Sequence, residues 1–517
     1  MTANYDAILI GSGIGALTVA VGLARQKRWR CLILEQNFNL GGMTQDFVRE
    51  RRYHFDVGLH YVGEMTPGTL TRRVMDYVTG GAVEWAPMPD IFERFVYPDF
   101  TFDAPSDPKR YLARLQEAFP KEAEPLRRYF RDVQRASTAM ILAQYCETVP
   151  GPLRPVMRAA ARALSPYLRA TSAAYLDAHF RDPRLKALLA SQWGDYGVPP
   201  SKSAFAMQAA VVNHYLKGAW YPVGGAARIV EGALQDIRRA GGEAIPGMLV
   251  ETILLNKAGQ AIGVRASNTL RNRSSEQFFA PLIISCAGAR NTYLKLLPKG
   301  ARPAFAGELD RIEPSLSAVT LFLGFRESPA SLGYKGENYW VFGSYDHDAA
   351  FSGEPGEDGY YLSFPSLKDP TQDAHTAQMI AFVAPGRFDA WAGSTWRMRG
   401  QDYADLKETM ARAMIARLRE RHAALADMIS FYEVATPLTY EYFQNSPRGA
   451  FYHLPFLPER LDWPFARCRT PVGGLYLTGS DVMSCGIVGA MMGGWKCLAV
   501  ILGGKEFLRL MRAIRLF

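Results

Sequence analysis

The hydrophobic pattern at the start of the chain predicts a strand, a turn, a helix and a second strand. Residues 7–10 and 31–34 are short apolar runs typical of buried parallel strands, and residues 17–25 have helical spacing. The glycine-rich segment 11–15, between the first strand and the helix, is predicted to be a turn. This order of elements indicates an α/β fold.

The pattern changes twice along the rest of the chain. Residues 65–215 are mostly helical in pattern and interrupted by proline, with the clearest helical stretch at 111–140. Beyond residue 220 strands and helices alternate again. The elements predicted there are a helix over 226–240, strands over 249–255, 263–267 and 282–285, a long helix over 403–421, and a final strand, glycine-rich turn and helix from residue 475 onwards.

The turn after the first strand has the spacing of a dinucleotide-binding fingerprint. Its residues are Gly11, Ser12, Gly13, Ile14, Gly15 and Ala16. Glycine at position 11 permits a tight turn, and glycine at position 13 lets backbone amides approach a pyrophosphate at the positive end of the following helix. Because this turn follows a strand and opens a helix, nucleotide binding is favoured over an ordinary loop.

Residues at the end of the second strand indicate which dinucleotide is bound. The carboxylate of Glu35 can accept hydrogen bonds from ribose hydroxyls and repel a 2′-phosphate. Gly41 and Gly42 supply a second close backbone approach, which is common in flavoproteins of this class and usually lacking in simple nicotinamide dehydrogenases. The sequence therefore favours FAD over NAD. The further contacts predicted are Gln36, Met43, Thr44 and, from a later strand, Val250.

The segment from residue 475 onwards predicts the other end of the cofactor site. Asp481 is expected to bond the ribityl chain of FAD, with Gly479, Ile487 and Val488 as neighbouring contacts. A helix that begins near Gly486 would direct its positive end at the flavin and stabilise negative charge on the reduced ring. Gly224 and Gly225 follow a poor strand, so a separate NADPH domain is not predicted, and an external electron donor or acceptor is required.

These motifs define the predicted domains. The FAD-binding domain is of the Rossmann type and comprises residues 1–65, 215–300 and 465–503. A helical region for substrate or membrane contact occupies 66–214, an α+β substrate domain occupies 301–464, and a basic amphipathic helix occupies 504–517.

Composition and charge narrow the environment of the protein. Six scattered cysteines without a CxxC pair argue against a disulfide framework and a zinc site, so no metal and a reducing compartment are predicted.

The net charge is +9, and residues 149–176 with the last fourteen residues hold seven of the excess positive charges. Since no RNA- or DNA-binding motif accompanies them, an anionic membrane surface is the predicted partner and nucleic acid is not. Neither a spanning helix nor a cleavable targeting peptide is predicted, which indicates a cytoplasmic protein peripheral on the membrane.

Several motifs together carry a family resemblance. They are the fingerprint with Glu35 and Gly42, and the segments 55–63, 221–225, 363–370, 436–439, 446–450 and 478–494. The chain resembles the flavin-dependent polyene oxidoreductases, which include the all-trans-retinol 13,14-reductases (retinol saturases), the carotenoid isomerases and the phytoene desaturases, and it is closest to the saturase branch. The resemblance implies a fold like that of the amine oxidases and phytoene desaturases, with a long apolar tunnel that ends at the flavin.

The resemblance also implies an activity, namely saturation of one C=C bond of a conjugated polyene lipid of retinoid or carotenoid type. Such chemistry needs a flavin against one carbon and a proton donor or acceptor at the other. His60 and Tyr61 are the first candidates because segment 55–63 should pass near the flavin, although His60 could contact it without proton transfer. Tyr440, Tyr442 and Lys368 are weaker candidates.

Two alternatives use the same architecture. Desaturation or redox-assisted cis/trans isomerisation would need the same flavin and pocket with a different electron balance. A non-catalytic lipid-escort protein would need no FAD, and the intact Glu35, Gly42 and Asp481 argue against it.

Overall fold

A parallel sheet of five strands carries the fingerprint turn. The computed structural model describes residues 5–270, 274–349, 355–384 and 386–514. The strand order in this sheet is Glu243–Pro246, Cys31–Glu35, Ala7–Ile10, Leu282–Ser285 and Leu475–Leu477. The two strands nearest the N-terminus are buried at every position, which is why their sequences are continuously apolar. The sheet draws its strands from three distant stretches of the chain.

Helices pack closely against this sheet, and glycines permit the approach. The helices are Ile14–Lys27, Ala227–Arg239 and Gly486–Leu502. A Cβ atom built on Gly15 would lie 2.5 Å from the Cα of Gly479, and one built on Gly494 would lie 2.4 Å from the carbonyl oxygen of Gly15. Glycine is therefore needed where the first helix meets the last strand and its following helix.

A second, mixed sheet of seven strands forms the other large layer. Its order is Ile429–Ala435, Ser317–Phe325, His375–Val383, Gly359–Ser363, Asn338–Phe342, Ile91–Val96 and Thr101–Pro105. One face packs against the long helix Gln401–Arg421, and alternate side chains face the helical region. Trp340, Tyr361 and Ile380 belong to that second face.

The segment predicted to be helical contains both helices and strands. Its helices are Leu70–Thr79, Pro108–Ala118, Ala123–Tyr145, Arg154–Leu164, Ser172–His179, Pro183–Ala190 and Phe205–Tyr215. The single stretch predicted at 111–140 is two helices, because Pro120 opens a short 3₁₀ turn between them. Three strands in this segment were not predicted, namely Trp85–Pro87, Ile91–Val96 and Thr101–Pro105.

Smaller sheets complete the fold. A hairpin joins Asp46–Arg49 to Tyr53–Asp56, and a three-stranded antiparallel sheet contains Met248–Leu255, Ala261–Asn268 and Ser275–Phe279. The interpretation of residues 221–222 as a poor strand is wrong: Ala219–Pro222 pairs antiparallel with Val62–Gly63 and with Trp85–Pro87. Shorter helices are Ala306–Arg311, Pro365–Lys368, Ala423–Asp427 and Pro437–Gln444.

The C-terminal helix Gly504–Ala513 packs on the protein rather than leaving its apolar side free. Leu510 is fully buried, and the ring of Phe507 lies 5.6 Å from that of Trp495. The apolar side of the predicted amphipathic helix therefore packs on the protein's own core, and among its described apolar side chains Leu508 remains half-exposed. Arg515 and Phe517 lie outside the described residues. Within the described ranges, the structure contains no helix with both the length and the apolar character that crossing a bilayer requires.

Candidate active site

The fingerprint turn borders a cavity of about 420 Å³ at the carboxyl ends of the parallel strands. Most residues predicted to hold the cofactor line this cavity, from the three distant stretches: Gly11, Ser12, Gly13, Ile14, Gly15, Glu35, Gln36, Gly42, Met43, Thr44, Val250, Gly479, Asp481 and Ile487. Ala16 is fully buried beneath the turn, and Val488 lines a neighbouring cavity instead.

Glu35 organises the turn as well as facing the cavity. One of its carboxylate oxygens accepts hydrogen bonds from the amide and the hydroxyl of Ser12, at 2.9 and 2.6 Å. The Ser12 hydroxyl in turn accepts a bond from the amide of Gly41, at 2.8 Å. The second carboxylate oxygen accepts one from the amide of Asn37, at 3.0 Å. Carboxylate oxygens have further lone pairs, so Glu35 can hold this turn and still accept from a ribose.

Some buried polar atoms in the described wall of this cavity have no hydrogen-bond partner in the protein. Among the described residues, Asn291 Oδ1, Gln444 Nε2 and His453 Nδ1 line it as buried polar atoms without a hydrogen-bond partner. Buried polar groups are normally paired, so a polar ligand would complete this wall. A dinucleotide fits the arrangement because it brings a pyrophosphate for the glycine turn and both donors and acceptors for the remaining groups.

Asp481 also lines this cavity. Its carboxylate accepts hydrogen bonds from the amides of Ala289, at 2.7 Å, and Leu454, at 3.2 Å. Five residues further on, the helix Gly486–Leu502 begins, and its first two residues line the cavity. An unpaired set of amides at a helix start favours negative charge, so this end of the cavity suits an electron-accepting ring.

A second cavity, of about 510 Å³, meets the first one at the start of this helix. The walls shared by both cavities are Gly58, Phe451, Tyr452, Gly486 and Ile487. The rest of its lining is mainly apolar and aromatic, and comes from the helical region, the seven-stranded sheet and the C-terminal helix. A long apolar molecule in the second cavity would therefore end against whatever occupies the first.

Several of the sequence motifs converge beside this junction. Asp56 accepts hydrogen bonds from the Tyr221 hydroxyl and, at 2.8 Å, from the Ala226 amide. The amide of Gly224 donates to Asp369 at 2.9 Å. Segments 55–63, 221–225 and 363–370 are thus joined through buried carboxylates. The amides of Gly224 and Ala226 donate to these carboxylates and are not free to bind a phosphate.

His60 and Tyr61 both line the apolar cavity. The Tyr61 hydroxyl donates to a carboxylate oxygen of Asp195 at 3.0 Å, and its ring stacks on that of Tyr215 at 4.3 Å. Asp195 also lines the cavity. It was not predicted as a site residue, since an isolated acid in the apolar stretch 193–198 is the only signal that the sequence gives.

The charge state of the Asp195 carboxyl is set by its surroundings. Burial raises its pKa well above the usual range, and the nearby Glu93 raises it further, while the Tyr61 hydrogen bond opposes both effects. Burial also raises the pKa of Glu93 to about 7. Glu93 accepts hydrogen bonds from Trp340 at 3.0 Å and Gln192 at 2.9 Å. Burial therefore favours the protonated form of the Asp195 carboxyl, which lines the cavity, and of the Glu93 carboxyl, which does not line it.

His60 and Lys368 occupy the other side of Tyr61. Burial, with a contribution from Lys368, lowers the pKa of His60 to about 3, so its imidazole is neutral. Among the described residues neither ring nitrogen of His60 has a hydrogen-bond partner. The Lys368 ammonium donates to the backbone oxygen of His60 at 2.9 Å, and burial lowers its pKa to about 7. Lys368 thus positions the His60 backbone from outside the cavity lining.

The structure places the other two weak candidates away from both cavities. The Tyr440 hydroxyl pairs with the Thr320 hydroxyl at 2.6 Å inside a separate core cluster. Tyr442 is half-exposed and stacks on Trp396 at 4.9 Å. The contacts of both residues therefore indicate roles in packing rather than in the reaction.

Comparison with known proteins places this site in a family. A family described as an NAD(P)-binding Rossmann-like domain matches residues 9–78. The all-trans-retinol 13,14-reductase of Danio rerio is 32% identical, over 96% of this chain and 86% of that protein. The chain belongs to the all-trans-retinol 13,14-reductase family. The chloroplastic prolycopene isomerase of Arabidopsis thaliana is 25% identical, over 95% of this chain and 82% of that protein.

The fold is also found in solved structures of oxidases. Cyclohexylamine oxidase from Brevibacterium oxydans aligns with a TM-score of 0.59 at 17% identity, over 98% of this chain and all of that one. The family resemblance and the fold class predicted from the sequence are confirmed.

Proposed function

We propose that the protein is an FAD-dependent oxidoreductase that saturates one C=C bond of a conjugated polyene lipid of retinoid or carotenoid type. The observation that carries this proposal is the junction of the two cavities, which share lining residues at the start of the helix Gly486–Leu502. Membership of the retinol reductase family supports the substrate class, because the named relatives act on retinol or on a carotenoid.

The chain's own residues would hold FAD from both ends. The amides of the Gly11 to Gly15 turn would bind the pyrophosphate, Glu35 would accept hydrogen bonds from the ribose and Asp481 would bond the ribityl chain. When bound and reduced, FAD supplies a hydride. The amides of Gly224 and Ala226 donate to Asp369 and Asp56, so this turn offers no phosphate site for NADPH. The electrons that reduce FAD would therefore come from an external donor.

The substrate would lie along the aromatic wall of the second cavity. Trp340, Tyr361 and Phe382 line it from the seven-stranded sheet, and Met140 and Met207 line it from the helical region. Aromatic and methionine side chains pack well against a flat conjugated chain and make no demand for polar partners. His60 and Tyr61 complete the inner end of this wall as the proposed reactive side chains, and the neutral imidazole of His60 suits contact with an apolar ligand.

Three other functions, which membership of the retinol reductase family does not favour, would use the same architecture. A desaturase would run the electron flow in reverse, and an isomerase would return the hydride to the substrate. A lipid-escort protein would hold the lipid without a cofactor. Anaerobic incubation of the chemically reduced, FAD-loaded protein with all-trans-retinol, prolycopene and phytoene separates these functions by product mass. Saturation adds two hydrogens and reoxidises the flavin; a mass loss with oxidised protein, an isomer of unchanged mass, or a colourless protein would each overturn the proposal.

We also propose that the protein is peripheral on the cytoplasmic side of an anionic membrane. Leu70 and Ile141 line the cavity and are 40% and 45% exposed, so they mark its mouth. Leu508, 52% exposed, follows on the C-terminal helix beside the exposed Lys505 and Arg509. Apolar tips within a basic surface suit contact with anionic lipid, from which an insoluble polyene could enter the cavity.

A further inference from the structure

We propose that Asp195 and Tyr61 together deliver the proton to the second carbon of the double bond, with Tyr61 facing the substrate and Asp195 replacing its proton. This inference rests on the proposed function and deepens it, because it assigns the acid for the saturation reaction. The pair was assembled by the fold from distant segments, 134 residues apart in sequence.

Both groups border the cavity in which the polyene would lie. Tyr61 and Asp195 line the apolar cavity, and their oxygens lie 3.0 Å apart. The pair also adjoins the start of the helix Gly486–Leu502, because the thiol of Cys485, which immediately precedes this helix, contacts the backbone oxygen of Asp195 at 3.5 Å. Stacking on Tyr215 fixes the plane of the Tyr61 ring, so its hydroxyl has a defined direction.

Neither member of the pair is sufficient alone. A phenol whose pKa is raised well above 10, as burial does to Tyr61, is a poor acid unless a stronger acid returns its proton at once. Asp195 is the stronger acid of the two, and burial and Glu93 raise the pKa of its carboxyl well above the usual range, which favours the protonated form that can return a proton to Tyr61. The titratable groups that surround the pair are Glu93, Tyr215, Tyr361, Tyr452, Cys485 and Lys368, of which Lys368 is the nearest cation, 5.8 Å from the Tyr61 ring.

A reduced flavin bound in the first cavity would supply the hydride for the first C–H bond, and the π electron pair of the double bond would move to the second carbon. The Tyr61 hydroxyl, which donates to Asp195 in the resting protein, turns towards the substrate, and the second carbon takes its proton, so a second C–H bond forms and the O–H bond breaks. The Tyr61 oxygen then takes the carboxyl proton of Asp195, whose O–H electron pair stays on the resulting carboxylate. The product is neutral, and the negative charge of the hydride ends on Asp195.

The chain offers a matched control for this pair. The buried Asp132 accepts a hydrogen bond from the Tyr175 hydroxyl, also at 3.0 Å, and neither residue lines either cavity. D195N and Y61F can therefore be compared with D132N and Y175F, which make the same chemical changes to the same type of contact. FAD content and thermal midpoint establish that each variant is folded.

The first measurement is single turnover of the reduced holoprotein with the polyene in deuterated water. We expect wild type, D132N and Y175F to place one deuterium on one face of the second carbon. D195N and Y61F should lose this facial selectivity, and in parallel steady-state assays they should reduce kcat by about 10²–10⁴-fold with little change in KM. Wild-type kcat and single-face labelling in either variant would overturn the proposal.

The second measurement needs no substrate and tests the state of Asp195 in the resting protein. Infrared difference spectra at mildly alkaline pH should contain a protonated-carboxyl band that D195N lacks and D132N retains. Isotopic labelling of aspartate shifts the same band in the wild-type protein, which keeps the test valid if D195N fails to fold. The absence of such a band would overturn the proposal. A wild-type protein that shows the band but converts no polyene would instead contradict the proposed function.

Discussion

Ser12 and Glu35 are joined twice, since the amide and the hydroxyl of Ser12 both donate to the same carboxylate oxygen. This contact fixes the glycine turn to the end of the second strand before any ligand binds. E35A should therefore weaken FAD binding by about 1–3 kcal/mol, through loss of ribose hydrogen bonds and through a looser turn. Titration of the apoprotein with FAD measures this, with E243A, an exposed carboxylate on the neighbouring strand, as the control. Equal affinities of E35A and E243A for FAD would contradict the assignment of Glu35 to the ribose.

The contact between the first helix and the last strand gives a prediction for stability. In G15A the new methyl group would lie 2.5 Å from the backbone of Gly479, which cannot move aside as a flexible side chain would. We expect a loss of about 1–3 kcal/mol in the free energy of unfolding, with lower FAD content. G504A, at a helix start where a Cβ atom meets nothing within 4 Å, should behave like the wild type. Thermal unfolding of both variants tests this.

Glu93 predicts a pH dependence of stability. Its pKa is raised from 4.5 to about 7 by burial, so between these values the folded protein keeps a proton that the unfolded chain releases. Ionisation of Glu93 thus destabilises the fold as the pH rises through this window. E93Q removes the effect, and its stability relative to wild type should improve by about 3 kcal/mol from pH 4.5 to pH 7.

Urea unfolding across that pH range measures the difference. E313Q, in a side chain that is 88% exposed, is the control and should follow the wild-type curve. A constant difference between E93Q and wild type would show that Glu93 is ionised in the folded protein.

His60 is expected to affect the reaction rather than the fold. H60A should retain FAD and lose activity by up to about 10²–10⁴-fold if its ring takes part in proton transfer, and by less if it only contacts the ligands. H54A, an exposed histidine of the same segment, should retain activity. Equal turnover by H60A and H54A would show that the His60 ring takes no part in the reaction.

The membrane proposal is tested at the exposed part of the C-terminal helix. Deleting the helix would uncover Leu510, which is fully buried, so a point substitution is preferable. L508D should weaken flotation with anionic vesicles, and high salt should weaken that of the wild-type protein. L332D changes a leucine that is also partly exposed, in the 3₁₀ turn Pro329–Leu332, and should have no effect. Equal flotation of the two variants would show that Leu508 is not in the contact surface.

The dinucleotide site could be predicted from the sequence because its signals are local. The fingerprint and Asp481 follow short buried strands and Glu35 ends one, and a strand followed by a turn is recognisable without knowledge of its partners. Val488 was predicted to contact the cofactor but lines the second cavity. It follows Ile487 on the same helix, and successive residues of a helix point in different directions.

The apolar cavity and its acids could not be predicted in the same way. Glu93 lies on the strand Ile91–Val96, which pairs with Asn338–Phe342, and its bond to Trp340 spans 247 residues. A strand with such a distant partner has no local signal in a stretch dominated by helices. Asp195 likewise acquires its properties from Tyr61 and Glu93, which lie far away in sequence.

Thr478 and Gly15 show how late the dinucleotide site is completed when the protein is made. The Thr478 hydroxyl donates to the carbonyl oxygen of Gly15 at 3.3 Å, across 463 residues. A ribosome releases the fingerprint turn early and the strand Leu475–Leu477 only after both inserted regions have been synthesised. Nascent chains therefore carry half of the site for most of translation, and acquisition of the cofactor should be a post-translational event that depends on the cellular supply of FAD at that moment.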